Sequence, residues 1–180
     1  MSNAEPRWLS DEDQHVWRQI IAVINMLPPQ LERELQRTHG LSLHDYQILV
    51  QLSEHPEHEV RLSDLAEATQ QSKSRLSHQM TRMESAGLVT RRNCPTDRRG
   101  AYAVLTEEGR RVLEAAAPTH VASVRDHLMD LMTPAQKQVV GEAFTTVANH
   151  LRPTGRPMTC PSLTNPDQTP KAAQPSPSGA

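Results

Sequence analysis

The stretch from Arg61 to Thr106 constrains the fold most, because two short helix signals separated by a turn lead directly into a basic β-hairpin. In Ser63-Asp64-Leu65-Ala66-Glu67-Ala68 a capping-type serine precedes an acid, and leucine and alanine share a face, which predicts a short helix. After Thr69-Gln70-Gln71, Ser72 is placed to cap a second helix running to about Ala86, with Gly87 as its left-handed stop. At about 100° per residue, Leu76, Met80 and Met83 form one narrow apolar stripe. Ser74, Ser77, His78 and Thr81 occupy the opposite side, flanked by Arg75 and Arg82.

Lysine and glutamate are the usual choice for a merely solvated helix face. Short hydroxyl side chains instead let a helix sit deep in a DNA major groove, where serine or threonine bonds base edges or touches a thymine methyl. The candidate reading set is Ser72, Lys73, Ser74, Arg75, Ser77, His78, Thr81 and Arg82, with the arginines reaching phosphates. Taken alone, the helix also fits a surface helix with unusual polar choices. The hairpin decides between the two. Leu88 to Asn93 and Ala101 to Leu105 are β-capable runs around the turn-rich loop Cys94-Pro95-Thr96-Asp97-Arg98-Arg99-Gly100. That loop is too polar for core and too rich in arginine for a neutral turn. A narrow minor groove concentrates negative potential and attracts inserted arginine, a use that fits Arg98 and Arg99 with Asp97 as a brace. Arg91 and Arg92 complete the basic hairpin.

Charge is distributed accordingly. From Gln71 to Gly100, Lys73, Arg75, Arg82, Arg91, Arg92, Arg98 and Arg99 stand against Glu84 and Asp97, a net +5. The whole chain is at −2, so the remainder carries −7. A local basic surface hidden in a mildly acidic chain is the electrostatic footprint of nucleic-acid contact.

With these residues in view, the chain resembles the MarR family of bacterial winged-helix transcriptional regulators. The likeness lies in Leu65-Ala66, in Leu76 through Gly87-Leu88-Val89, in Asp97-x-Arg99, and in Leu105-Thr106-x-x-Gly109. The resemblance implies that Ser72 to Ala86 is the recognition helix and that Arg99, then Arg98, enters the minor groove. It also implies a crevice between dimerisation helices and DNA-reading lobe, where small, often aromatic and anionic effectors change the spacing of the two recognition helices. Trp17, Arg18, Ile21, His44 and Tyr46 are the candidates to line it, although Trp17 serves equally well as core.

The expected fold is mainly α with a small β-hairpin: a winged helix-turn-helix lobe over about 42–105, framed by dimerisation helices over about 10–38 and 106–151, in one domain spanning 8–152. Ser10 with Asp13 resembles a capping box, and apolar residues from Val16 to Leu35 recur at helical spacing, with Pro28-Pro29 expected to bend or break the helix. Ser42 with Asp45 opens a helix bearing Leu43, Tyr46, Leu49, Val50 and Leu52, closed by His55-Pro56. After Thr106 a long helix carries Val112, Leu113, Val121, Val124, Leu128 and Leu131, with a kink expected at Pro118. Thr133-Pro134 opens a last helix with Val139, Val140, Phe144, Val147 and Leu151. These terminal helices are too apolar to be satisfied on the back of the lobe, so a two-fold homodimer is expected, rather than a self-sufficient bundle. Its two recognition helices would address half-sites of a pseudo-palindrome about 10 base pairs apart.

The remaining features narrow the function class. From Pro153 to Ala180 the chain holds seven of its 14 prolines among serine, threonine and glutamine, and this stretch is expected to be disordered. No secretory apolar segment follows Met1, and the apolar run Ile20 to Ile24 is far too short for a bilayer, so a cytoplasmic location without membrane contact is expected. Cys94 and Cys160 match neither a disulfide framework nor a Cys-x-x-Cys metal pattern. Cys94 has Arg91 and Arg92 nearby in sequence, which leaves open a thiol-based redox-sensing regulator. His55 and His58 beside Pro56 read as a solvated loop, and neither a metal site nor a cofactor is expected. No Gly-x-Ser-x-Gly, Walker or His-Glu-x-x-His pattern occurs, and the one tempting set, Cys94, His78 and Asp97, lies on the presumed DNA face, so the chain is expected not to be an enzyme. A winged-helix protein-interaction or RNA-binding module is the other alternative, and the absence of exposed aromatic stacking platforms argues against it. The expected activity is sequence-specific binding of double-stranded DNA as a repressor, with release by a small aromatic or anionic effector.

Overall fold

A computed structural model describes residues 6–94 and 97–151, without the side chains of 97–99. The element order is α1 (Asp11–His39), α2 (Leu43–Glu54), β1 (Glu59–Arg61), α3 (Leu62–Ala68), α4 (Lys73–Ser85), β2 (Val89–Cys94), β3 (Asp97–Leu105), α5 (Glu107–His127), a 3-10 turn (Met129–Leu131) and α6 (Pro134–Leu151). The expected tail from Pro153 onward lies outside the described residues, as does Cys160.

Helix starts follow local chemistry. Ser10 and Ser42 each accept a hydrogen bond from the backbone N–H three residues on, and Asp13 and Asp45 each accept from the cap residue's backbone in return. Thr133 and Gln136 form the same reciprocal arrangement ahead of α6. Helix α2 is the centre of the core: Leu43, Tyr46, Ile48, Leu49, Val50 and Leu52 are all buried. Around it pack Leu31 and Leu35 of α1, Leu65 and Ala66 of α3, Leu76, Met80 and Met83 of α4, and Leu113 and Ala116 of α5.

Two expectations are corrected, a break at Pro28-Pro29 and a cap at Ser63. Pro28-Pro29 does not break α1, which runs unbroken for 29 residues. Proline at 28 and 29 frees the carbonyls of Ile24 and Asn25, and all four residues are exposed, on a side of the helix open to solvent donors. Pro118 likewise sits inside a continuous α5, with Glu114, four residues earlier, exposed. Ser63 is not a cap: α3 starts directly from β1 at Leu62, with Arg61 as the N-cap residue and no side-chain cap bond. Finally, the hairpin gains a third strand. The sheet is antiparallel with order β1-β3-β2, pairing Arg61 with Tyr102 and Tyr102 with Arg92.

The joint between wing and α5 explains the Leu-Thr-x-x-Gly motif. The Thr106 hydroxyl lies within bonding distance of the Gly87 and Leu88 carbonyls, 2.7 and 2.9 Å, and accepts from the Gly109 N–H at 2.9 Å to cap α5. A β-carbon on Gly109 would stand 2.0 Å from the Leu88 carbonyl oxygen, a position only glycine can occupy. Gly87 itself turns the chain out of α4 at φ +73°, in the left-handed region.

Candidate nucleic-acid interface

Helix α4 is held by its apolar stripe and shows its polar side outward. Leu76, Met80 and Met83 are buried, whereas Lys73, Ser74, Arg75, Ser77, His78 and Thr81 are exposed. Ser72 caps the helix by accepting from the Arg75 N–H at 3.3 Å. The residues expected to read DNA therefore form one continuous exposed face.

One of the two expected phosphate contacts, Arg82, is committed within the protein. Arg82 Nη2 donates to both carboxylate oxygens of Asp45, at 2.8 and 3.1 Å. The same carboxylate accepts from Gln79 Nε2 at 3.0 Å and from the Ser42 hydroxyl at 2.6 Å. Burial alone would raise the Asp45 pKa, yet the hydrogen bonds from Ser42, Gln79 and Arg82 outweigh it and hold the carboxyl below its ordinary value. Arg82 thus fastens α4 to the start of α2, and Gln79, which sequence reasoning passed over, is buried beside it. The available signal was a glutamine on the apolar stripe, one turn from Leu76 and Met83.

Alternation along β2 sends its two arginines to opposite faces. Arg91 turns toward α4, where Nη2 donates to the Ser77 carbonyl at 2.8 Å and to the Thr81 hydroxyl at 3.2 Å, and Nη1 pairs with Glu84 at 3.1 Å. Arg92 turns away. It ion-pairs with Glu59, its Nε at 3.1 Å from Oε2, and its guanidinium stacks over the Tyr102 ring 5.0 Å from the centroid. Arg61 reaches the same ring from β1, at 5.6 Å. It donates to the Tyr102 hydroxyl and to Cys94 Sγ, both at 3.3 Å, and these bonds raise the Arg61 pKa further. Cys94 is buried, with Arg61 donating to its Sγ and Arg92 close enough to act on it electrostatically, as the sequence suggested, whereas Arg91 turns away to α4. Counting Asp45 and Glu59, the partners of Arg82 and Arg92, lowers the local charge from +5 to +3. The side chains of Asp97, Arg98 and Arg99 lie outside the described residues; their backbone opens β3.

A crevice of about 570 Å³ runs between α1, the start of α2 and α4, lined by Glu32, Ser42, His44, Arg75, His78 and Arg82 among others. Of the five residues expected to line an effector site, only His44 reaches it. Tyr46 is core, its ring 4.4 Å from that of His120, and burial pushes its hydroxyl up to about 12. Trp17 is 54% exposed on the first half of α1, Arg18 bonds Gln14, and Ile21 is half-buried. Among the described residues no group of three or more histidine, cysteine or acidic side chains is placed to hold a metal ion. None of the described helices is long and apolar enough to cross a membrane.

A family model described as MarR family matches residues 39–100, the span from the end of α1 to the wing. The structure is similar to AbsC, a MarR family transcriptional regulator from Streptomyces coelicolor, with 52% identity, a TM-score of 0.75, and coverage of 81% of this chain and 98% of that one. The chain belongs to the MarR family. This MarR-family chain is also similar to Sco3205 from the same organism, solved in complex with DNA, at 43% identity and TM-score 0.79, covering 84% of this chain and 95% of that one. A stretch of 54 residues is 43% identical to the transcriptional regulator HosA of Escherichia coli O111:H-, spanning 30% of this chain and 40% of that one. The protein is a winged-helix transcriptional regulator and not an enzyme.

Proposed function

We propose that this regulator is a homodimeric repressor that reads a pseudo-palindromic operator through α4 in the major groove, with Arg98 and Arg99 of the wing in the minor groove. The observation that carries this reading is the exposed face of α4: the side chains of Ser74, Ser77, His78 and Thr81, bordered by Lys73 and Arg75, on a helix locked to the core. Lys73 and Arg75 supply phosphate contacts. Arg82 contributes only what its pairing with Asp45 leaves over.

The homodimer is supported by apolar surface that the chain alone leaves uncovered. Val139, Phe144, Val147 and Leu151 of α6 are each at least 50% exposed, and Val16, Trp17, Val23 and Ile24 stand exposed along the first half of α1. A second copy of the same helices covers such a surface isologously. The crevice beside α4 suits a small anionic effector through the exposed Arg75, with the Ser74 hydroxyl and His78 imidazole beside it as hydrogen-bonding groups. A ligand there would occupy residues that also face DNA, so effector and operator compete. Burial of Cys94 counts against redox sensing at the wing.

The test is selection from a random duplex library at moderate salt, then titration of the enriched site with wild type and Arg99→Ala, with sedimentation to fix the oligomeric state. A palindrome bound by a dimer and weakened by Arg99→Ala supports the reading. Enrichment of no motif, with binding lost at physiological salt, overturns it.

A further inference from the structure

The bonds around Thr81 account for more than the placement of a helix. We propose that Arg91 is a positioning residue that commits the Thr81 hydroxyl to the protein, so that Thr81 meets DNA through its methyl group and selects the 5-methyl of a thymine. The proposal rests on the reading of α4 as the major-groove helix.

A threonine hydroxyl has one hydrogen to donate and two acceptor sites. The Thr81 hydrogen goes to the Ser77 carbonyl, 3.1 Å away. One acceptor site takes Arg91 Nη2 at 3.2 Å, and the same nitrogen donates to the Ser77 carbonyl at 2.8 Å. Glu84 pairs with the other end of the guanidinium at 3.1 Å, and the Arg91 side chain is only 30% exposed. Arg91 is thus held from three sides, and its position fixes the hydroxyl.

What remains for DNA follows by subtraction. Guanine O6 and N7, adenine N7 and thymine O4 are all acceptors, and Thr81 has no hydrogen left to offer them. Adenine N6 and cytosine N4 are donors, but their hydrogens carry partial positive charge and would approach an oxygen already paired with a guanidinium. The Cγ2 methyl has no such conflict. Its natural counterpart in the major groove is the thymine 5-methyl group. Arg92, the next residue, turns to Glu59 and Tyr102 and takes no part, so the two neighbouring arginines divide into a brace for the reading helix and a brace for the sheet.

The experiment uses the full chain and its selected operator, with each thymine replaced singly by deoxyuridine, which removes only the methyl. Wild type should lose about fourfold in affinity at one thymine per half-site, the loss set by one unburied methyl group. Thr81→Val, which keeps the methyl and drops the hydroxyl, should keep that penalty, and Thr81→Ser should abolish it. Arg91→Met frees the acceptor side of the hydroxyl to an adenine or cytosine amino group and should shrink the penalty while altering base preference at the same position, a change that loss of stability alone does not produce. The proposal is overturned if Thr81→Val loses base preference as Thr81→Ala does, which would make the hydroxyl the reader. It is equally overturned if no deoxyuridine penalty depends on residue 81 while wild type still binds its operator. If wild type selects no operator at all, the reading of α4 falls, and this proposal with it.

Discussion

Helix α4 and helix α6 are both amphipathic, yet they meet opposite fates in this molecule. The apolar stripe of α4 is buried completely, its ends are capped, and two polar networks, one around Asp45 and one around Arg91, tie its other flanks to α2 and β2. Helix α6 buries no residue, and Phe144 remains half exposed. The contrast separates two kinds of stability. The winged-helix lobe is complete within one chain, whereas α6 and the first half of α1 leave apolar area exposed, which the proposed dimer would bury at about 25 cal/mol per Å².

The sharpest way to break the lobe alone is Gly109→Ala, since the added carbon meets the Leu88 backbone oxygen at 2.0 Å. Thermal or urea unfolding should show a loss of about 3 kcal/mol. Phe144→Glu addresses the other side of the comparison. It should leave the lobe folded and convert a dimer to a monomer, and operator affinity should fall on the order of 100-fold as bivalent binding is lost, read by sedimentation beside a gel-shift titration. Unchanged sedimentation would mean that α6 is not the joining surface.

Asp45→Ala removes a capping-box acid and the acceptor of buried Gln79 together, and should cost about 2 kcal/mol in a urea titration. Arg82→Ala should cost less, because 65% of that side chain faces water. Equal losses would show that the ion pair, and not Gln79 and the cap, dominates the network. The smallest effect is a pH dependence at His120. Burial lowers its pKa, so the folded state keeps it neutral where the unfolded chain already takes up a proton. Stability from this group is complete above about pH 6.5, the unfolded value, and is lost as pH falls from there through the folded pKa. His120→Gln should flatten the unfolding midpoint between pH 7 and 5.

Local chemistry was legible in the sequence, and long-range pairing was not. Ser10, Ser42, Ser72 and Thr133 declare their helices because a cap acts within three residues. The stripe of Leu76, Met80 and Met83 declares the buried side of α4 for the same reason. Asp45 and Arg82 lie 37 residues apart, and no local pattern marks them as partners. Nor does any local pattern mark Arg61 and Cys94, 33 apart. Strand β1 has only three residues and forms because β3 offers an edge. Pro28-Pro29 misled as a break because the cost of a missing donor falls on whichever carbonyl is freed, and only the tertiary fold decides whether solvent can reach it.

Thr106 has a mechanical consequence. Its side chain touches the turn that ends α4 and starts β2, and the same oxygen caps α5, while Gly109 lets α5 press against that turn without a spacer. Such a joint has almost no slack. A displacement of α5 would act on the end of α4 and the start of β2 together, so in the proposed reading the helix and the wing that face DNA answer to α5 as a unit.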